Sequence, residues 1–133
     1  MNIPSIRCKI EVVCEINPSE DPQKVESAIL NIFPNCEIQK EKFSLRALSE
    51  NLQSLEKIRE SIHSMKSQKT YRRALEKHLD HDSTWFYLNK QAAFAEKIAI
   101  CEESDESPLG PLKIILTSKY VERIIQWLVF NEE

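Results

Sequence analysis

One stretch limits the fold of this chain more than any other: Asn17 to Pro34, which reads as a complete helix with both ends marked. Asp21 can accept a hydrogen bond from the free N–H groups of the first turn, and Pro22 follows where a missing N–H costs nothing. Val25, Ala28, Ile29, Ile32 and Phe33 recur at i, i+3, i+4, i+7 and i+8, so they line one apolar stripe. Pro34 biases Phe33 out of helical geometry and ends the run. A stripe that wide needs a sheet to cover, and strand-like segments lie on both sides of it.

On the N-terminal side, residues 6–16 alternate: Ile6, Cys8, Ile10, Val12, Cys14 and Ile16 on one face, Arg7, Lys9, Glu11 and Glu15 on the other. That period defines a half-buried strand with one wet face. On the C-terminal side, residues 36–46 start as a strand through Cys36 and Ile38. Phe43 and Leu45 then fall in the opposite parity, which predicts a bulge near Lys40–Lys42 or a shorter strand followed by loop. From Leu48 the spacing changes to three and four (Leu52, Leu55, Ile58, Ile62, Met65), and a second helical run carries Tyr71, Ala74, Leu75, His78 and Leu79. These read as two helices or one kinked helix.

Residues 84–88, Thr-Trp-Phe-Tyr-Leu, are strand-prone. Alternation over Ala92–Ile100 predicts a further strand, paired with the previous one as a hairpin. Glu102–Pro108 is an acidic loop, Pro108–Pro111 a turn, Leu112–Thr117 a last short strand. Val121, Ile124, Ile125, Leu128 and Val129 give a closing amphipathic helix. The order β-α-β-α-α-β-β-β-α describes a single α+β domain over residues 1–133, a mostly antiparallel sheet with helices packed on one face.

Composition removes several function classes. A single glycine, Gly110, excludes the Gly-rich loops that cradle nucleotide phosphates, so no nucleotide cofactor is expected. No apolar run approaches the ~20 residues that span a bilayer, and the charged N-terminal stretch has no small-residue cleavage site, so neither a membrane segment nor a signal peptide is expected. The four cysteines include no C-x-x-C pair, and Cys8 and Cys14 would stand about 20 Å apart along a strand at ~3.3 Å per residue. They read as buried free thiols of a cytoplasmic protein.

Three stretches, taken together, resemble a known family. Asn17-Pro18-Ser19-Glu20-Asp21 leading to Asn31-Ile32-Phe33-Pro34, then Leu88-Asn89-Lys90-Gln91-Ala92-Ala93, then Trp127-Leu128 are similar to an archaeal family of small uncharacterised proteins grouped with predicted RNA-binding proteins. The resemblance implies a fold similar to the ribosomal protein that grips 5S rRNA, and an RNA-binding role without metal or other cofactor. Relatives usually carry a glycine shortly after the Ala-Ala pair, where this chain has Glu96.

The residues themselves offer three places for RNA. Net charge is −3, yet residues 57–78 hold seven basic and two acidic groups, or +5. Lys66, Lys69, Arg72, Arg73 and Lys77 suit phosphate contacts; the plain alternative is a solvated helix face. Trp85 and Tyr87, sharing one strand face, offer rings for stacking or for core and dimer packing. Asn89, Lys90 and Gln91 read as an RNA-contacting turn, Lys90 on phosphate, or as a structural turn. His78, His81 and Asp82 have the spacing of a metal set, but His78 falls on an apolar stripe and the rest on a polar helix exit. The reading is a non-catalytic RNA-binding domain; its alternative is a protein–protein module or homodimer scaffold that binds no RNA.

Overall fold

The computed structural model describes residues 4–130, so Met1–Ile3 of the stretch read for a signal peptide lie outside it. The elements are β1 (Lys9–Glu15), α1 (Pro22–Ile32), β2 (Glu37–Lys40), β3 (Ser44–Ser49), α2 (Glu56–Ser64), α3 (Gln68–Lys77), β4 (Ser83–Leu88), α4 (Lys90–Phe94), β5 (Ile100–Cys101), β6 (Leu112–Thr117) and α5 (Val121–Val129). Short 3-10 turns at Leu52–Leu55 and Ser104–Glu106 complete them. Six strands form one sheet in the order β2-β3-β1-β6-β4-β5, and every neighbouring pair is antiparallel.

α1 begins where the sequence puts it. The Asp21 carboxylate accepts the Gln23 N–H at 2.9 Å, and Pro22 opens the first turn. Val25, Ala28, Ile29 and Ile32 are buried, each branched side chain contributing roughly 1.5–3 kcal/mol on leaving water. Phe33 leaves helical geometry at the C-cap and is fully buried. The stripe meets the sheet's inner face, built from Ile10, Val12 and Cys14 of β1, Leu45 and Ala47 of β3, and the matching positions of β4 and β6. Thr84 is the polar exception there, and its hydroxyl donates to the Leu75 carbonyl at 2.6 Å.

Two expected elements differ. The strand over 36–46 is a hairpin, not a bulged strand: the parity change marks a turn at 41–43, where Glu41 N–H donates to the Ser44 carbonyl at 2.9 Å. Ile38 faces Ala47 across the pair, and Phe43 stands 65% exposed at the tip.

The strand over 92–100 is a helix followed by a two-residue strand. Asn89 caps α4 by accepting the Ala92 N–H at 2.9 Å, and alanine-rich Lys90–Phe94 suits a helix better than a strand. Alanine on both sides of an alternation carries no information about which face is buried. The chain then returns so that Asn89 N–H donates to the Ala99 carbonyl and Cys101 faces Tyr87.

The segment read as helical from Leu48 is still strand β3 through Ser49, then a 3-10 turn at Leu52–Leu55 and two helices. α2 ends on Lys66, whose φ of 53° is left-handed. Ser67 N–H reaches back to the Ile62 carbonyl (2.9 Å) and Lys66 N–H to that of His63 (3.3 Å), a helix-ending pattern usually built on glycine. α4 ends the same way on Glu96 (φ 60°), with Lys97 N–H on the Ala92 carbonyl and Glu96 N–H on that of Ala93.

Candidate nucleic-acid interface

α3 joins the core and the cationic surface. Its inner side buries Tyr71, Ala74 and Leu75, and the Tyr71 ring meets Phe86 of β4 edge-on at 5.7 Å between centroids. Helical periodicity then forces Lys69, Arg72, Arg73 and Lys77 to the opposite side, where all four are exposed. Lys69, Arg73 and Lys77 fall at i, i+4 and i+8, a single row along the helix, and Lys66 is exposed in the turn before it.

The partners of these cations are few. Arg72 Nε lies 3.3 Å from Glu76 one turn on, and its guanidinium sits over the Phe130 ring at 5.2 Å. Arg73 reaches Glu102 at 3.6 Å. Lys66, Lys69 and Lys77 have no carboxylate within ion-pair distance among the described residues. Exposed pairs such as these are worth only a fraction of a kcal/mol.

Glu102 begins an acidic turn in which the Glu106 carboxylate accepts the Glu102 and Glu103 N–H groups at 3.1 and 2.7 Å.

The sheet's outer face has no helix over it among the described residues. Two cross-strand rows occupy it: Tyr87, Lys113, Val13, Arg46 and Gln39, then Trp85, Ile115, Glu11, Leu48 and Glu37. Trp85 and Tyr87 do share this face, while Phe86 is buried on the other. Their rings are engaged. His78 stacks on Trp85 at 3.5 Å and 15°, Lys113 Nζ stands 4.4 Å from the same ring, and Tyr87 tilts against it at 4.9 Å. Glu11 pairs with both Lys9 (3.7 Å) and Arg46 (3.6 Å), so the face is close to charge-balanced.

His78 Nδ1 lies 3.0 Å from the Trp85 carbonyl, which can only accept, so that nitrogen carries the proton. His81 sits outside at φ 54°, 3.6 Å from Asp80. Among the described residues no group of three His, Cys, Asp or Glu side chains is placed to hold a metal ion.

Lys90 requires a correction. The phosphate contact expected of it is not open to a side chain that is 0% exposed. Its ammonium donates to the Glu15 carbonyl (3.0 Å), the Leu109 carbonyl (2.7 Å) and both Glu20 oxygens (3.0 and 3.1 Å). Glu20, 5% exposed at its side chain, also accepts the Asn17 backbone and side-chain N–H groups at 2.9 and 3.1 Å. Burial pushes the Glu20 carboxyl up, but the bonds from Asn17 and Lys90 outweigh it and hold it below its usual range. The neighbouring Cys14 thiol is pushed up to about 11, by burial first, with Lys90 acting against it. Asn89 is the α4 cap, and only Gln91 of the three remains exposed.

The Glu20–Lys90 pair was missed at the sequence level. Its signal was present in the two polar stretches that carry the family resemblance, which this pair brings together from seventy residues apart.

Fold and surface together define a class: an α+β layer with one sheet face uncovered among the described residues, a cationic helix at its side and a buried ion pair closing one end. A family model described as RNA binding matches residues 9–120, and the chain belongs to that family. It is 38% identical over 120 residues to the UPF0201 protein of Methanothermobacter thermautotrophicus, covering 90% of this chain and 89% of the relative. It is 37% identical over 124 residues to the UPF0201 protein of Sulfurisphaera tokodaii, covering 90% and 86%. The crystal structure of the UPF0201 protein from Methanococcus jannaschii superposes with a TM-score of 0.79 at 26% identity, covering 94% of this chain and 95% of that one.

Proposed function

We propose that this protein is a non-catalytic RNA-binding domain of the cytoplasm that holds RNA on the solvent face of α3. The observation that carries this reading is the exposed set Lys69, Arg72, Arg73 and Lys77, opposed on the helix itself only by Glu76. Lys66 adds to it from the turn before. Gln91 and Asn89 lie beyond this face, on α4 and its cap. The family description supports the same ligand, and the likeness to the ribosomal protein that grips 5S rRNA, implied by the resemblance, belongs to this proposal. No described helix is long and apolar enough to cross a membrane.

Fluorescence anisotropy with labelled RNA across a salt series tests the reading. Affinity should fall linearly in log–log form with salt, because phosphate contacts release counterions. Arg72→Ala with Arg73→Ala should weaken binding and flatten that slope by about one for each phosphate no longer neutralised. Absence of binding at low salt would remove the proposal. A protein–protein module or homodimer would then lead, for which the half-buried side chains Val13, Leu48 and Ile115, on the sheet face without a helix over it among the described residues, speak.

A further inference from the structure

We infer that the RNA taken by α3 is base-paired, and that the protein reads its backbone rather than its bases. This rests on the proposed RNA-binding role of α3 and adds the class of RNA. Lys69, Arg73 and Lys77 form a row that advances ~6 Å per four residues on a rigid axis. A stacked duplex presents phosphates at fixed spacing to such a row, whereas a flexible strand must be ordered to match it.

Among the described residues, the surroundings of the row offer little of what an unpaired strand requires. Single-stranded RNA is held by bases stacked on open aromatic faces beside a cationic groove. Tyr71 and Phe86, the rings nearest the row's own helix, are in the core. Trp85 is stacked by His78 and approached by Lys113, and Tyr87 leans on Trp85. Phe130 is 41% exposed beside α3, and the Arg72 guanidinium lies over its ring at 5.2 Å, so one face of it is already taken. The other exposed rings, Phe43 and Tyr120, belong to the β2–β3 tip and to the start of α5, not to α3. A cation row with one partly occupied ring beside it suits phosphate and ribose recognition of a duplex, which is largely indifferent to sequence.

The experiment is competition anisotropy between a blunt RNA duplex of about 16 base pairs and each of its two strands alone, at matched low salt. The duplex should bind at least tenfold tighter than either strand. The triple variant Lys69→Gln, Arg73→Gln, Lys77→Gln should lose that preference while melting at the same temperature. Tyr120→Ala and Phe43→Ala should leave duplex affinity unchanged. Strands that bind as tightly as the duplex, or strand binding that disappears in Phe130→Ala or Tyr120→Ala, would overturn the inference and leave α3's RNA role standing. Failure of every RNA to bind would overturn both.

Discussion

Lys90 and Lys77 lie close in sequence, each beside polar residues, yet they occupy opposite circumstances. Lys77 projects from α3 into solvent with no carboxylate in reach among the described residues. Lys90 is fully buried, and its ammonium is bonded to two carbonyls and a carboxylate. The difference lies in what the fold supplies. An ammonium enters the interior only if acceptors and counter-charge are already arranged around it. Asn17, Glu20 and the left-handed Leu109 (φ 66°) supply that arrangement at one end of the sheet, and α3 has nothing comparable. A lysine therefore acts as structure at position 90 and as surface charge at position 77.

Substitutions break this contrast in a definite order. Lys90→Met leaves Glu20 buried without its counter-charge and should cost about 3–5 kcal/mol in denaturant unfolding. Adding Glu20→Leu should cost less than the sum of the two single changes, because the stranded charge is then gone.

Acid acts next. The Glu20 carboxyl is depressed in the folded protein, so its stabilisation is complete above the unfolded value near 4.3 and is lost as pH falls through the folded value. Denaturation midpoints of the protein and of Glu20→Gln should differ at pH 7 and converge as pH falls below the ordinary carboxylate range.

A smaller change has the opposite sign. Glu96→Gly relieves a left-handed residue at the end of α4 and should stabilise by about 1 kcal/mol, raising Tm by roughly 3–6 °C. Smallest of all, Lys77→Ala should alter stability by no more than about 0.5 kcal/mol. It should nevertheless reduce RNA affinity and lower the salt slope by about one, read by anisotropy.

The same contrast explains what was legible in the sequence. α1, β1 and α5 were readable because burial imposes a period on residues that strongly prefer one side, such as Val25, Ile29 and Ile32. The basic face of α3 was readable as the complement of Tyr71, Ala74 and Leu75. The β2–β3 hairpin left its trace as a parity change, which a bulge would also produce. α4 was hidden because Ala92, Ala93 and Ala95 suit either face of either element, and its deciding feature was the Asn89 cap. The burial of Lys90 was not readable locally, since its partners come from residues 15, 20 and 109. The occupied state of Trp85 likewise depends on His78 and Lys113, which arrive from other elements.

The Lys90 ammonium also bears on the order in which the chain assembles. Its acceptors lie 75, 70 and 19 residues away along the chain, in two segments, around 15–20 and at 109, so its water shell can be replaced only when both have docked on the segment that carries it. Contacts of such long separation close late. The pair should therefore be largely absent from the rate-limiting barrier, and its removal should quicken unfolding while leaving the folding rate almost unchanged. A buried charge that does little to start the fold thus sets how long the folded state lasts.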